Sequence, residues 1–177
     1  MSKRCTPHAT PSTQLDMTEV HEAAAAGDST LIETLLDTGK YDVNGPDPEW
    51  HNRTPVHWAA IKGHSESIRL LVEYGATLDV VTDVGWTPAH FAAEGGKILA
   101  LRALQKLEAP IDMCDIYGDT PKRVAEINGQ TECAEFLQQA EIELKEARAK
   151  AAVKQLLTAK GKMGTKKKTG FGFPFGL

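Results

Sequence analysis

Apolar positions along the chain fall into short blocks that recur. Small residues come first, at Ala23-Ala24, Ala59-Ala60, Ala92-Ala93 and Ala125. A glycine follows each block, at Gly27, Gly63, Gly96 and Gly129. Larger apolar residues come next at helical spacing: Ile32 and Leu35; Ile68, Leu71 and Val72; Leu101 and Leu104; Phe136 and Leu137. The pattern predicts a short helix, a left-handed stop at glycine and a second helix, four times over. No such hairpin buries its apolar face alone, so neighbours must stack and stabilise one another.

The unit opens on a motif, Thr54-Pro55-Val56-His57, Thr87-Pro88-Ala89-His90 and Thr120-Pro121-Lys122-Arg123, with a step of 33 residues. Thr suits the free amides at a helix start, and Pro in the first turn has its φ already set. A fainter copy, Thr18-Glu19-Val20-His21, lies 36 residues before Thr54. Its three extra residues divide between the stretch Gly39 to Asn44, which takes one, and the loop Asp47-Pro48-Glu49-Trp50-His51, which takes two.

On these residues the chain resembles the ankyrin-repeat family over roughly residues 17 to 139. The resemblance implies an all-α solenoid of four helix-turn-helix repeats, near 17–52, 53–85, 86–118 and 119–139. It also implies that His21, His57 and His90 bond to the neighbouring turn, a structural duty. The chain departs from the family pattern at Arg123 for the motif His, at Glu108 and Asn52 for loop glycines, and at the first repeat's missing Pro. Lys122 and Arg123 suit a terminal repeat with a polar outer face.

Outside the repeats, residues 1–16 read as a disordered lead-in. From Thr131 to about Lys160 no Gly or Pro occurs, which predicts a helix longer than a repeat needs, with residues 140–160 as its extension. Leu137, Ala140, Leu144, Ala147 and Ala151 fall at a 3-then-4 spacing, a short seam that a partner helix could use. Residues 161–177 form a basic Phe/Gly tail of low complexity. Lys166, Lys167 and Lys168 supply charge there, and Phe171, Phe173 and Phe175 read as a linear motif that orders on a partner.

Charge adds a division that the net value of −4 conceals. Residues 145–177 carry nine basic side chains and one acid, whereas residues 1–144 carry eleven basic and twenty-three acidic ones. An acidic body with a basic arm points to a polyanionic or acidic partner for the arm. No apolar run is long enough to span a bilayer, and no leader pattern opens the chain. Cys5, Cys114 and Cys133 lack metal-like spacing and read as reduced thiols.

Catalysis finds no support in the sequence. No histidine pair has ligand spacing, no Gly-rich loop follows a strand, and no Ser or Cys stands in a nucleophile setting. We expect neither cofactor nor metal and no small-molecule substrate. Candidate partner-binding residues lie instead at the hairpin tips and beside them: Trp50, Val84, Trp86, Glu94, Ile116, Tyr117 and Asp119. Trp86 is expected to be an exposed anchor whose loss leaves stability unchanged. Trp58 and Phe91, after the motif His, read as core or groove lining, and Glu49, Glu94, Glu126 and Asp119 as a shared acidic face.

The expected function is a non-enzymatic adaptor or structural protein that binds other proteins of a large assembly. Resemblance to one small animal member of the family implies axonemal or microtubule-associated partners and a ciliary setting within the cytoplasm. The alternative is a nuclear regulator whose Lys-rich arm contacts nucleic acid. It is disfavoured because the arm has no arginine beyond Arg148 and no base-reading fold accompanies it.

Overall fold

The computed structural model describes residues 16–163, and side-chain surroundings for residues 19–155. Residues 1–15 of the lead-in and the tail residues Lys166, Lys167, Lys168, Phe171, Phe173 and Phe175 lie outside the described residues, whereas Asp16, expected in the lead-in, opens the first helix. Eight α-helices form among the described residues: α1 (Asp16–Ala26), α2 (Ser29–Asp37), α3 (Pro55–Lys62), α4 (Ser65–Glu73), α5 (Pro88–Glu94), α6 (Ile98–Lys106), α7 (Pro121–Ile127) and α8 (Thr131–Met163). No strand forms among them, and Asp47 and Arg53 make one isolated antiparallel bridge. The described fold is all-α, with four helix hairpins.

Odd-numbered helices pack on one another in sequence, α1 on α3, α3 on α5 and α5 on α7; α2, α4 and α6 form a second row. Alanine makes the first row possible. Ala23, Ala24, Ala59, Ala60, Ala92, Ala93 and Ala125 are all buried, because no larger side chain fits where short helices meet so closely. The second row fills the space behind with Ile32, Ile68, Leu71, Leu101 and Leu104, all inaccessible to solvent. Each such side chain contributes about 1.5–3 kcal/mol by leaving water. Between the rows Gly27, Gly63, Gly96 and Gly129 sit at φ +65 to +89°, the left-handed stop that an L side chain strains to adopt.

The hairpin tips are set by main-chain pairing. Asp47 N–H donates to Arg53 O, Thr82 N–H to Trp86 O, and Asp115 N–H to Asp119 O, at 2.8, 3.0 and 2.9 Å. The first tip is two residues longer, and a 3₁₀ turn, Pro48–Trp50, takes up the excess. Asn52 holds φ +59° at the position where the later tips have Gly85 and Gly118. Glu108 holds φ +59° after α6, where the earlier hairpins have Gly39 and Gly75.

Histidines tie the first three hairpins to the segment that follows each. His57 Nδ1 accepts from Thr54 N–H at 3.1 Å, so the ring's proton is on Nε2, which donates to Trp86 O at 3.2 Å. His90 repeats this with Thr87 N–H at 3.1 Å and Asp119 O at 3.1 Å. His21 Nε2 reaches Gly45 O at 3.0 Å. Burial, against the help of the Trp86 carbonyl, pushes the His57 pKa down to about 4. His90 is lowered by the same desolvation.

The chain divides into two compact units, at Glu141 and Ile142. In the first, Cys133, Leu137 and Ala140 of α8 are buried, and the Arg102 guanidinium lies 5.9 Å from the Phe136 ring centre. In the second, Ala147 and Ala151 of the predicted seam are exposed and Leu144 is half-buried. Glu146 and Lys150 pair along the helix at 3.6 Å.

Candidate functional site

The tips lean on the first helices of neighbouring hairpins and leave a row of three cavities. The first, about 280 Å³, lies between Glu22 and Ala25 of α1 and the residues Glu49, Trp50 and Trp58. The second, about 280 Å³, is lined by His51, Arg53, Val84, Trp86, Phe91 and Glu94. The third, about 290 Å³, is lined by Val84, Trp86, Tyr117, Asp119, Val124 and Ile127 among others. The position after the motif residue supplies each floor, as Glu22 and Trp58, Phe91, and Val124.

Aromatic and cationic side chains interleave along this groove. Trp50 meets Trp58 edge-on with centroids 5.6 Å apart. The Arg53 guanidinium lies 5.3 Å from the Trp58 ring centre and 4.8 Å from that of Phe91. Trp86 stacks on His90 at 6.0 Å and meets Phe91 edge-on at 4.9 Å. Two buried donors on the strip between the first and second cavities, Arg53 Nε and Trp58 Nε1, have no acceptor among the described residues. Acidic residues line each cavity: Glu22, Asp47 and Glu49 the first, Glu94 the second, and Asp115 with Asp119 the third.

The sequence-predicted residues distribute unevenly over this geometry. Trp50 is 53% exposed at the first cavity. Val84, 37% exposed, lines the second and third, and Tyr117, 76% exposed, lines the third. Glu94 and Asp119 stand at the second and third respectively. Ile116 is exposed, lines none of these three cavities, and ties two tips together through its N–H to Val84 O at 3.3 Å.

Two expectations need correction. Trp86 is not a free tip anchor: it is half-buried, and its Nε1–H donates to Asp115 Oδ2 at 3.0 Å. These contacts replace the expectation that its loss leaves stability unchanged with the expectation that its loss lowers it. Glu126 does not join the acidic face, since Arg123 at 3.2 Å and Lys122 at 3.8 Å compensate it along α7. Glu22, Arg53, Val124 and Ile127 were missed as lining residues. The register of the repeat was the available signal, because Glu22 and Val124 occupy the position of Trp58 and Phe91.

Asp115 organises the third tip. Desolvation works against its ionisation, but the Asp119 and Tyr117 amides and the Trp86 indole together hold its pKa below the usual value. Among the described residues, no group of three or more His, Cys, Asp or Glu side chains could hold a metal ion. No helix of the described residues is long and apolar enough to cross a membrane.

Comparison with known proteins agrees with this geometry. The family model "Ankyrin repeats (3 copies)" matches residues 6–82. Human ankyrin repeat domain-containing protein 7 is 38% identical over 58 residues, 33% of this chain and 22% of that protein. The Saccharomyces cerevisiae protein named probable 26S proteasome regulatory subunit p28 is 43% identical over 68 residues, 37% of this chain and 28% of its own length. Palmitoyltransferase AKR1 of Gibberella zeae is 34% identical over 61 residues, 34% of this chain and 8% of its own. The chain thus spans less than a third of each of these relatives. With the matched residues and the four stacked hairpins taken together, the described fold is an ankyrin-repeat solenoid.

Proposed function

We propose that this protein is a non-enzymatic adaptor or structural component that holds a protein partner in the groove, with the basic C-terminal arm supplying a second contact. One observation carries the reading: three side-chain-sized cavities in a row, each with an apolar wall and a carboxylate rim. Such a surface favours a partner with apolar anchors and basic groups. Two modest contacts on one chain strengthen each other through effective concentration.

The setting we favour is the ciliary axoneme. Phrases such as "RTPVHWAAIKGH" and "GWTPAHFAAEGG" resemble ankyrin repeat domain-containing protein 66. A basic arm also suits the acidic surface of a microtubule. Proximity labelling in ciliated cells, followed by detergent extraction, tests this. Labelled axonemal proteins and retention in washed axonemes are expected; a diffuse, fully extracted protein sinks the setting. Appreciable DNA-duplex binding at physiological salt would instead favour a nuclear role through the Lys-rich arm.

A further inference from the structure

The spacing and chemistry of the groove narrow the kind of segment it accepts. We propose that the partner segment binds as an extended, polyproline-II-like peptide, with a large apolar side chain at every third residue and Lys or Arg between. This rests on the reading of the groove as the binding face.

Size comes first. Cavities of about 280–290 Å³ fall just below the range that holds a whole small ligand, so each suits one side chain. Spacing comes next. Because α1, α3, α5 and α7 pack in sequence, the cavities recur at the interaxial distance of adjacent helices, roughly 8–10 Å. A polyproline-II segment rises about 3.1 Å per residue and turns once every three. Side chains three apart therefore lie about 9 Å apart on one side, in step with the cavities. A β-strand covers the same distance in three residues, but its period of two turns every other anchor away.

An α-helix could match the step with anchors about seven residues apart, and the orphan donors argue against it. Among the described residues, Arg53 Nε and Trp58 Nε1 lack acceptors on the strip between the first two cavities. A helix uses its carbonyls internally, whereas a polyproline-II backbone leaves all of them free. One such carbonyl reaches these donors once the exposed Trp50 ring or the Arg53 side chain swings aside. Charge supplies the rest. Glu22, Glu49, Glu94 and Asp119 border the row, and the intervening peptide positions face these carboxylates.

Selection of random twelve-residue peptides on the whole chain tests the proposal, with Val84→Lys as the counter-target. Val84 is exposed and lines two cavities, so V84K places a cation in both while its melting curve should match the parent. Enriched peptides should show apolar residues at a three-residue period with basic residues between, and should not bind V84K. A nonapeptide with Phe at positions two, five and eight, and Lys or Arg elsewhere, should then bind at least about tenfold tighter than its isomer with Phe at alternate positions. The alternate spacing is that of Phe171, Phe173 and Phe175 in this chain's own tail. Equal binding of the isomers, or enriched peptides with a two- or seven-residue period still lost on V84K, overturns the spacing while leaving the groove as the binding face. Absence of binders, or binders indifferent to V84K, overturns both.

Discussion

Trp86 Nε1 donates to Asp115 Oδ2 at 3.0 Å, joining the second hairpin tip to the third across 29 residues of sequence. His57 Nε2 meanwhile donates to the carbonyl of the same Trp86 at 3.2 Å. Trp86 is thus held from the repeat before it and holds the repeat after it. Its indole walls two cavities because that double attachment fixes the ring.

Truncating Trp86 should therefore destabilise the protein. Trp86→Ala is expected to cost about 2–4 kcal/mol, below the full core value because the ring is half-buried. Trp86→Phe keeps the ring stack and removes the N–H, costing about 1 kcal/mol. Urea unfolding measures both. A melting curve unchanged in Trp86→Ala would show that the contacts around the ring contribute little.

Acid should weaken the stack through its histidines. Folding lowers the His57 pKa from 6.5 to about 4, and His90 shifts the same way. Between those values the unfolded chain binds more protons than the folded one, so stability falls as pH falls. The contribution is complete above pH 6.5 and is lost progressively toward pH 4, with an upper scale of about 3 kcal/mol for His57. Unfolding free energies at pH 7.5 and pH 5 should differ in that direction. His57→Gln should be less stable at pH 7.5 and show a shallower pH dependence.

The motif histidine should matter only where a later tip exists to receive it. His90→Ala removes bonds to Thr87 and Asp119 and leaves buried groups unpaired, at a cost of about 2–3 kcal/mol. Arg123 sits at the same position in the fourth repeat, exposed and paired with Glu126. Arg123→His should change stability by less than about 0.5 kcal/mol. A gain above 1 kcal/mol would mean that the ring finds a partner beyond the hairpin.

Glu108 stores strain that glycine relieves. At φ +59° it occupies the left-handed region with an exposed side chain. Glu108→Gly should raise stability by about 0.5–1 kcal/mol, the conformational gain less glycine's greater freedom in the unfolded chain. A loss in thermal unfolding would show that Glu108 contributes a contact that outweighs its backbone.

Removing residues 161–177 should separate the repeats from the arm. The thermal transition of the repeats should be unchanged, because these residues lie beyond the buried part of α8 at Cys133, Leu137 and Ala140. Retention in the assembly should fall. Equal retention of parent and truncated chains would remove the tail from the binding scheme.

Much of this was legible because the determinants are local. Thr-Pro before the first helix, the alanine pairs and the left-handed glycines act within a few residues, so their order can be read along the chain. The extra residues near Trp50 could be placed by counting, and the 3₁₀ turn Pro48–Trp50 took up two of them. Trp86 and Glu126 were misjudged for one shared reason. Whether a tip tryptophan is free depends on where Asp115 comes to rest, and whether an acid counts as surface charge depends on which cations share its helix face.

By itself the amino-acid sequence determined the repeating helix hairpin, its all-α class and the acidic body with its basic arm, because periodicity, turn residues and charge are properties of neighbours along the chain. Only the tertiary structure decided which side chains meet between hairpins. It brought the Glu22, Trp58, Phe91 and Val124 positions beneath the tips, left Arg53 Nε and Trp58 Nε1 without acceptors among the described residues, and anchored Trp86 between two repeats. Those relations join residues about thirty positions apart, and they come into being only when the hairpins stack and share their buried surface.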